Sequence, residues 1–244
     1  MLAFGDSITN GGGELQWGVA LQSWALWVAR ALGLPFTSYA QDGARADDVV
    51  ERQIPAFEER TATPDARFDL GCLYIGVNDV RADDWTPHSF EASFRTALEY
   101  VMRRSDRVLA VTAPLDLGRP RAGAKVLALN AIIERAGRER GALIADLRDF
   151  RARNHTMTDH VHPTAFGQIA IAERALSTLA EDGLPPRIRP RALIGYETTR
   201  WQRLRGDATY TYRHAKVSAR AAALTLAASR RPRSPHAGGA PASE

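Results

Sequence analysis

Four short stretches of this chain carry side chains able to act together: Gly5-Asp6-Ser7, Gln41-Asp42-Gly43, Gly76-Val77-Asn78-Asp79 and Asp159-His160-Val161-His162-Pro163. They offer a hydroxyl, a glycine amide, a side-chain amide, and an imidazole with a carboxylate three residues before it. Those are the parts that acyl transfer needs. A serine hydroxyl is a poor nucleophile at neutral pH and needs a general base within hydrogen-bond reach. Histidine serves because its unperturbed pKa lies near neutrality. A carboxylate fixes the imidazole tautomer and steadies the imidazolium formed on proton transfer. The tetrahedral intermediate needs donors aimed at its oxyanion. The Ser7 and Gly43 amides and Asn78 Nδ2 are the candidates, one such donor being worth roughly 3–4 kcal/mol.

Plainer readings compete. Asp and Ser are common in turns because both hydrogen-bond nearby backbone, and Asn78-Asp79 alone reads as an ordinary turn. Asp6 and Asp79 are expected to hold their loops by hydrogen bonds. His162 is preferred to His160 as the base because Pro163-Thr164 opens the next helix and pins its position; His160 reads as an exposed loop histidine. His88, His155, His214 and His236 read as surface residues. Asp159, His160 and His162 make a poor metal site, since two histidines two apart on a loop lack the usual ligand spacing; no metal is expected. Gly11-Gly12-Gly13 has neither the lysine of a P-loop nor the spacing of a dinucleotide fingerprint, so no phosphate-bearing cofactor is expected.

The elements that must position these residues alternate along the chain. A short first strand, 2–4, runs into Gly5. Trp17, Leu21, Trp24 and Val28 recur at helical spacing, which predicts a helix over 15–32 stopped by Gly33, with Trp24 and Trp27 in the core and Trp17 nearest the glycine loop, where it can line a pocket. A second strand is predicted over 34–40 and a solvent-facing helix over 47–57. The third strand, 68–75, is apolar enough to be central and buried on both faces, with Cys72 an inert core residue. Thr86-Pro87 caps a helix bearing Phe90, Phe94, Leu98 and Val101 on one stripe. A strand over 107–113, a helix over 122–140, a strand over 142–147 and a helix from 163 or 164 to about 181 follow. Five strands alternating with helices predict a parallel sheet covered on both faces. The expected fold is a flavodoxin-like three-layer α/β/α sandwich with strand order 2-1-3-4-5, and such sheets place their chemistry at the carboxyl ends of the strands.

The bulk numbers fit one large domain with an appendage. The chain has 244 residues, 45% apolar and 25% charged, with a net charge of +4. That charge is split: residues 184–244 hold 12 Arg or Lys against 3 Asp or Glu, whereas residues 1–183 carry a net −5. The body is therefore not expected to bind nucleic acid. Residues 1–183 read as the domain and 184–244 as a basic extension, helix-prone over 215–228, with the last 15 or so residues disordered. The partner of that extension stays open. One cysteine excludes an internal disulfide, and no apolar run is long enough for a membrane span. With no recognisable secretory signal, a cytoplasmic location is the default. The brevity of the first strand leaves open whether residues precede it.

The stretches together resemble the SGNH hydrolase superfamily, the GDSL-like esterases and lipases, whose blocks supply Ser, Gly, Asn and His in that order. Gly5-Asp6-Ser7 matches the first block, Gly76-Val77-Asn78-Asp79 the Gly-x-Asn-Asp block, and Asp159 to Pro163 the Asp-x-x-His-Pro block; Gly43 is the loosest match. The resemblance covers about residues 2–180. It implies Ser7 as nucleophile, His162 as base, Asp159 as its orienting partner, and Ser7, Gly43 and Asn78 as oxyanion donors. It implies a cofactor-independent serine hydrolase acting on a carboxylic ester through an acyl-enzyme. Lipases, lysophospholipases, thioesterases, arylesterases and carbohydrate deacetylases all fall within it. With no long apolar loop to act as a lid, a small soluble ester is the expected substrate, its pocket set by loops 8–17, 79–88 and 114–122. The alternative is a non-catalytic ligand- or partner-binding module on the same fold, docking through the basic extension.

Overall fold

Five parallel strands form the centre: β1 (Leu2–Gly5), β2 (Thr37–Ser38), β3 (Phe68–Tyr74), β4 (Ser105–Val111) and β5 (Leu143–Ala145). They stand in the order β2-β1-β3-β4-β5, the order expected. The computed structural model describes residues 1–229 apart from 17, 18, 62, 64, 65, 153 and 195–198. Register is set on β1, where Leu2 faces Thr37 on one side and Gly71 on the other, and Gly5 faces Tyr74. The sheet order reverses at β1, so the loops after β1 and β3 diverge and a crevice opens between them.

β3 is buried from Leu70 to its end, as a central strand should be. Burial of Cys72 pushes its thiol pKa up, leaving it inert. Helices cover both faces. α5 (Pro87–Arg104) starts under Thr86, whose side chain accepts from the Ser89 amide, and buries Phe90, Phe94, Leu98 and Val101. It packs against α6 (Lys125–Arg140), which buries Val126, Leu129, Ile133 and Ala136. On α2 (Trp24–Leu32), Trp24 and Trp27 are buried, and the helix lies against α7 (Ala165–Glu181).

Several elements differ from expectation. α2 starts at Trp24 and not at residue 15, because Ser23 caps it by accepting from the Ala25 amide. The chain before it is used elsewhere: Glu14 pairs with Thr164, and its carbonyl accepts from the Ala165 amide. Trp17, expected to line a pocket, lies outside the described residues. β2 holds two residues and not seven. As the edge strand it bonds on one side alone, through the Thr37, Tyr39 and Gln41 amides to Met1, Ala3 and Gly5.

The helix predicted over 47–57 is compound: α3 (Ala46–Asp48), a π turn (Val49–Gln53) and α4 (Ile54–Arg60). Pro55 has no N–H to continue an α ladder, and the Ile54 amide reaches Val49 in a widened turn. This turn rotates Gln53 inward, fully buried.

Beyond α7 the chain stays on the body. The Arg187 amide donates to Ala31 O at 2.8 Å, and Arg191 pairs with Glu173 at 3.0 Å. A long helix, α8 (Arg200–Ser229), exceeds the 215–228 segment expected. Arg213 Nη1 donates to Glu14 Oε1 at 2.6 Å, and the His214 ring sits 5.2 Å from that of His160. Trp201, Leu204 and Tyr212 are exposed. The segment expected to be disordered, 230–244, lies outside the described residues. Among the described residues no helix is long and apolar enough to cross a membrane.

Candidate active site

Ser7 stands at the carboxyl end of β1, as the first residue of a one-turn helix, α1 (Ser7–Asn10). Asp6 caps that turn, its Oδ1 accepting from the Ile8 amide at 2.9 Å. Burial pushes the Asp6 carboxyl up to about 7, against the Ile8 hydrogen bond and the nearby His162, which both lower it. Gly5 just before it has φ 157, and a Cβ there would stand 2.5 Å from Tyr74 O, so only glycine fits. Gln53 holds Gly5 from the other side: the Gly5 amide donates to Oε1 at 3.0 Å, and Nε2 donates to Gly5 O at 2.8 Å. After α1 the glycine loop turns back, with the Gly12 amide on Ser7 O. At Gly13 the backbone presses on the histidine loop, where a Cβ would be 2.1 Å from Pro163 O.

The second half of the site comes from the loop before α7. Thr164 caps that helix by accepting from the Gly167 amide. Asp159 Oδ1 accepts from the amides of Val161 and His162, at 2.9 and 3.1 Å, which folds the loop around its own carboxylate. Its Oδ2 lies 2.8 Å from His162 Nδ1. For Asp159, burial raises the pKa, but the hydrogen bonds from His162 and the two amides outweigh it and hold the carboxyl below its ordinary value. An ionised carboxylate accepts, so His162 Nδ1 carries the proton and Nε2 is left as acceptor. Ser7 Oγ is 3.0 Å from that Nε2, across 155 residues of sequence. Hydrogen bonding to Asp159 raises the His162 pKa above its ordinary value, although burial works the other way.

The loop after β2 is bonded to α1, and the loop after β3 is bonded to the loop after β2. Asn10 Nδ2 donates to Asp42 Oδ1 at 2.9 Å, drawing the loop after β2 to the turn that carries Ser7. In that loop Gly43 adopts φ 76, a conformation that favours glycine, and is exposed. Asn78, after β3, donates one amide hydrogen to Ala44 O at 3.0 Å, leaving the second for another acceptor. Asp79 Oδ1 accepts from the Ala46 amide. The same loops therefore carry both the candidate oxyanion donors and the bonds that tie them together.

Some residues behave otherwise than expected. His160 is not an exposed loop histidine: its side chain is 13% exposed and its Nδ1 is 3.0 Å from Asp116 Oδ2. Its backbone is left-handed, with φ 55. His155 and His214 are half-buried, stacked on Phe150 and Tyr210 respectively, whereas His88 is exposed. Position 236 lies outside the described residues. Sequence reasoning missed Gln53 and Gln168, both fully buried. Gln168, on α7, donates through Nε2 to the carbonyls of Ile8 and Gly12 and accepts from the Trp24 amide, so it stitches the turn that carries Ser7 to two helices. The available signal was a glutamine on an otherwise apolar helix stripe.

Comparisons with known proteins bear on the fold and the family. The profile of the GDSL-like Lipase/Acylhydrolase family matches residues 3–169. No curated protein matches the chain by sequence. Among solved structures, the α/β hydrolase enzyme LAE5 from the metagenome of Lake Arreo is similar at 18% identity and a TM-score of 0.58, over 73% of this chain and 94% of that one. The acetylxylan esterase Axe2 from Geobacillus stearothermophilus is similar at 19% identity and 0.56, over 73% and 92%. A member of the lipolytic protein G-D-S-L family from Veillonella parvula is similar at 19% and 0.58, over 73% and 97%. At such identities the likeness is one of fold, and the profile match over more than half the sequence carries the assignment: the chain belongs to the GDSL-like lipase/acylhydrolase family.

Proposed function

We propose that this protein hydrolyses a carboxylic ester by acyl transfer through Ser7. The observation that carries the reading is the hydrogen-bonded line from Asp159 through His162 to Ser7 Oγ, with separations of 2.8 and 3.0 Å. His162 Nε2 takes the Ser7 proton as Oγ attacks the ester carbonyl. The imidazolium formed is stabilised by Asp159. The oxyanion is met by the Ser7 amide, which as a first-turn helix donor has no intrahelical acceptor, and by the Gly43 amide and Asn78 Nδ2. Collapse breaks the ester C–O bond, and the alcohol leaves with the proton from His162. Water then repeats the sequence: it loses a proton to His162, attacks the acyl-Ser7 carbonyl, and releases the acid while the proton returns to Ser7 Oγ.

A short acyl group is the first to test, because Axe2, described as an acetylxylan esterase, shares the fold. The test is hydrolysis of 4-nitrophenyl acetate, butyrate and octanoate by wild type and by Ser7→Ala. Turnover of at least one ester, lost in Ser7→Ala, is expected. Equal rates in both proteins, or no turnover across the panel, would contradict the proposal.

A further inference from the structure

Helix α8 has two apolar sides, and the domain uses one of them. The docked side meets the body: Arg213 pairs with Glu14, the His214 ring stands against that of His160, and Ala221 is buried. On the opposite side, Trp201, Leu204, Ala208, Tyr212, Ala215 and Ala219 follow one another at steps of three or four residues, which puts them in one stripe. All six are exposed. Trp201 is 78% exposed, Leu204 60% and Tyr212 70%. A single apolar side chain on a surface needs no explanation, but large ones gathered on one helix face mark an interaction surface. The stripe lies wholly beyond the residues matched by the family profile, which end at 169.

The charges beside the stripe are of one sign. Residues 200–229 hold six Arg or Lys and a single acid, Asp207. Arg205, Lys216 and Arg220 each follow a stripe residue by one position, so they line one edge of it. All three are exposed, and none is in an ion pair among the described residues. The surface that covers the stripe must therefore be anionic. A second copy of the chain fits poorly. Pairing α8 with another α8 would set these like charges against each other, and the alanines along the middle give such a seam little to interdigitate. The body of another copy carries carboxylates that are already engaged: Glu91, Glu99, Asp106, Asp149 and Asp182 are each paired with an arginine of the same body. A lipid surface supplies both halves, an apolar layer for the Trp, Leu and Tyr side chains and negative headgroups for the cations.

We propose that the outward face of α8 lies on an anionic lipid surface, with Trp201, Leu204 and Tyr212 entering the headgroup region and Arg205, Lys216 and Arg220 set against lipid phosphates. The helix would lie along the surface and not through it, its docked side still holding the body. The inference does not depend on the ester-hydrolase reading, and it gives the basic extension a partner.

The test is sedimentation of the full chain with vesicles of phosphatidylcholine alone and of an equimolar mixture of phosphatidylcholine and phosphatidylglycerol. Wild type should bind the mixed vesicles and bind phosphatidylcholine roughly a hundredfold more weakly, about fivefold for each of the three cations. Raised salt should release it. The double variant Lys216→Gln/Arg220→Gln should lose roughly 25-fold on the mixed vesicles, by the same factor per charge, and Leu204→Glu/Tyr212→Glu should not sediment with them. Because these positions are exposed, the melting temperatures should match wild type. Tryptophan emission should shift to shorter wavelength on adding mixed vesicles, and the shift should be absent in Trp201→Phe. A wild type that fails to sediment with the mixed vesicles at low salt would overturn the proposal, as would equal binding to both vesicle types or unchanged binding by Leu204→Glu/Tyr212→Glu. A wild type that is dimeric by sedimentation velocity, monomeric as Leu204→Glu/Tyr212→Glu and indifferent to vesicles would assign the face to a second copy and overturn it too.

Discussion

Gln53 holds both backbone groups of Gly5, accepting from its amide at 3.0 Å and donating to its carbonyl at 2.8 Å. Gly5 is two residues before the candidate nucleophile, at the end of the first strand. The side chain reaches it because the π turn faces Gln53 inward, so a local irregularity in one helix sets the exit of a strand 48 residues away.

Replacing Gln53 with Leu leaves the Gly5 amide buried without its acceptor and weakens the binding of the carbonyl. Each unsatisfied buried group costs about 1–3 kcal/mol. Gln53→Leu should therefore lower unfolding free energy by roughly 3 kcal/mol, measured by urea denaturation, and should reduce ester turnover in the protein that remains folded.

The pH dependence follows from His162. In the proposed mechanism His162 must be neutral to take a proton, and hydrogen bonding to Asp159 holds its pKa above the ordinary 6.5. Activity should therefore rise with pH through a midpoint above 6.5, as read from kcat/KM profiles of the free enzyme. In Asp159→Asn the raising partner is gone while burial still lowers the pKa, so the midpoint should move down. The rate on the plateau should fall by roughly 10⁴, because the tautomer is no longer fixed.

Asn78→Ala should lower kcat by about 10²–10³, the usual effect of losing one oxyanion donor, with a smaller change in KM. Asn78 also binds Ala44 O, so the melting temperature should be followed alongside. A change in stability with unchanged kcat would make Asn78 a structural residue.

Asp6 gives a stability test with a definite sign. Its folded-state pKa, about 7, is raised from 3.8 by burial. Such a group contributes stability that is fully present below 3.8 and lost as pH rises through about 7. Asp6→Asn keeps an acceptor for the Ile8 amide and cannot ionise. The mutant's melting temperature relative to wild type should therefore increase from pH 4 to pH 8, as thermal melts at both pH values would show.

Much of this could be read from residue patterns. The stripe Phe90, Phe94, Leu98 and Val101, the Thr86-Pro87 cap and the glycines after strands report local geometry, and local geometry is what spacing encodes. The alternation of elements implies the parallel sheet, and the observed order is the one chosen among the few that right-handed crossovers allow. The misread parts were decided by distant partners. The helical spacing over 15–32 holds only from Trp24, and just before that segment Glu14 bonds to the loop at 164–165. His160 looks like loop surface until Asp116 and α8 are brought against it. Gln53 and Gln168 occupy apolar stripes, where a polar residue signals a buried partner without naming it.

The central claim is that Ser7 is an activated nucleophile. The direct measurement is labelling of the full chain with a fluorophosphonate, followed by peptide mapping, in wild type, Ser7→Ala and His162→Ala. The account predicts a single adduct on Ser7 in wild type, none in Ser7→Ala, and strongly slowed labelling in His162→Ala. An unlabelled wild type, or an adduct on another residue that persists in Ser7→Ala, would contradict it.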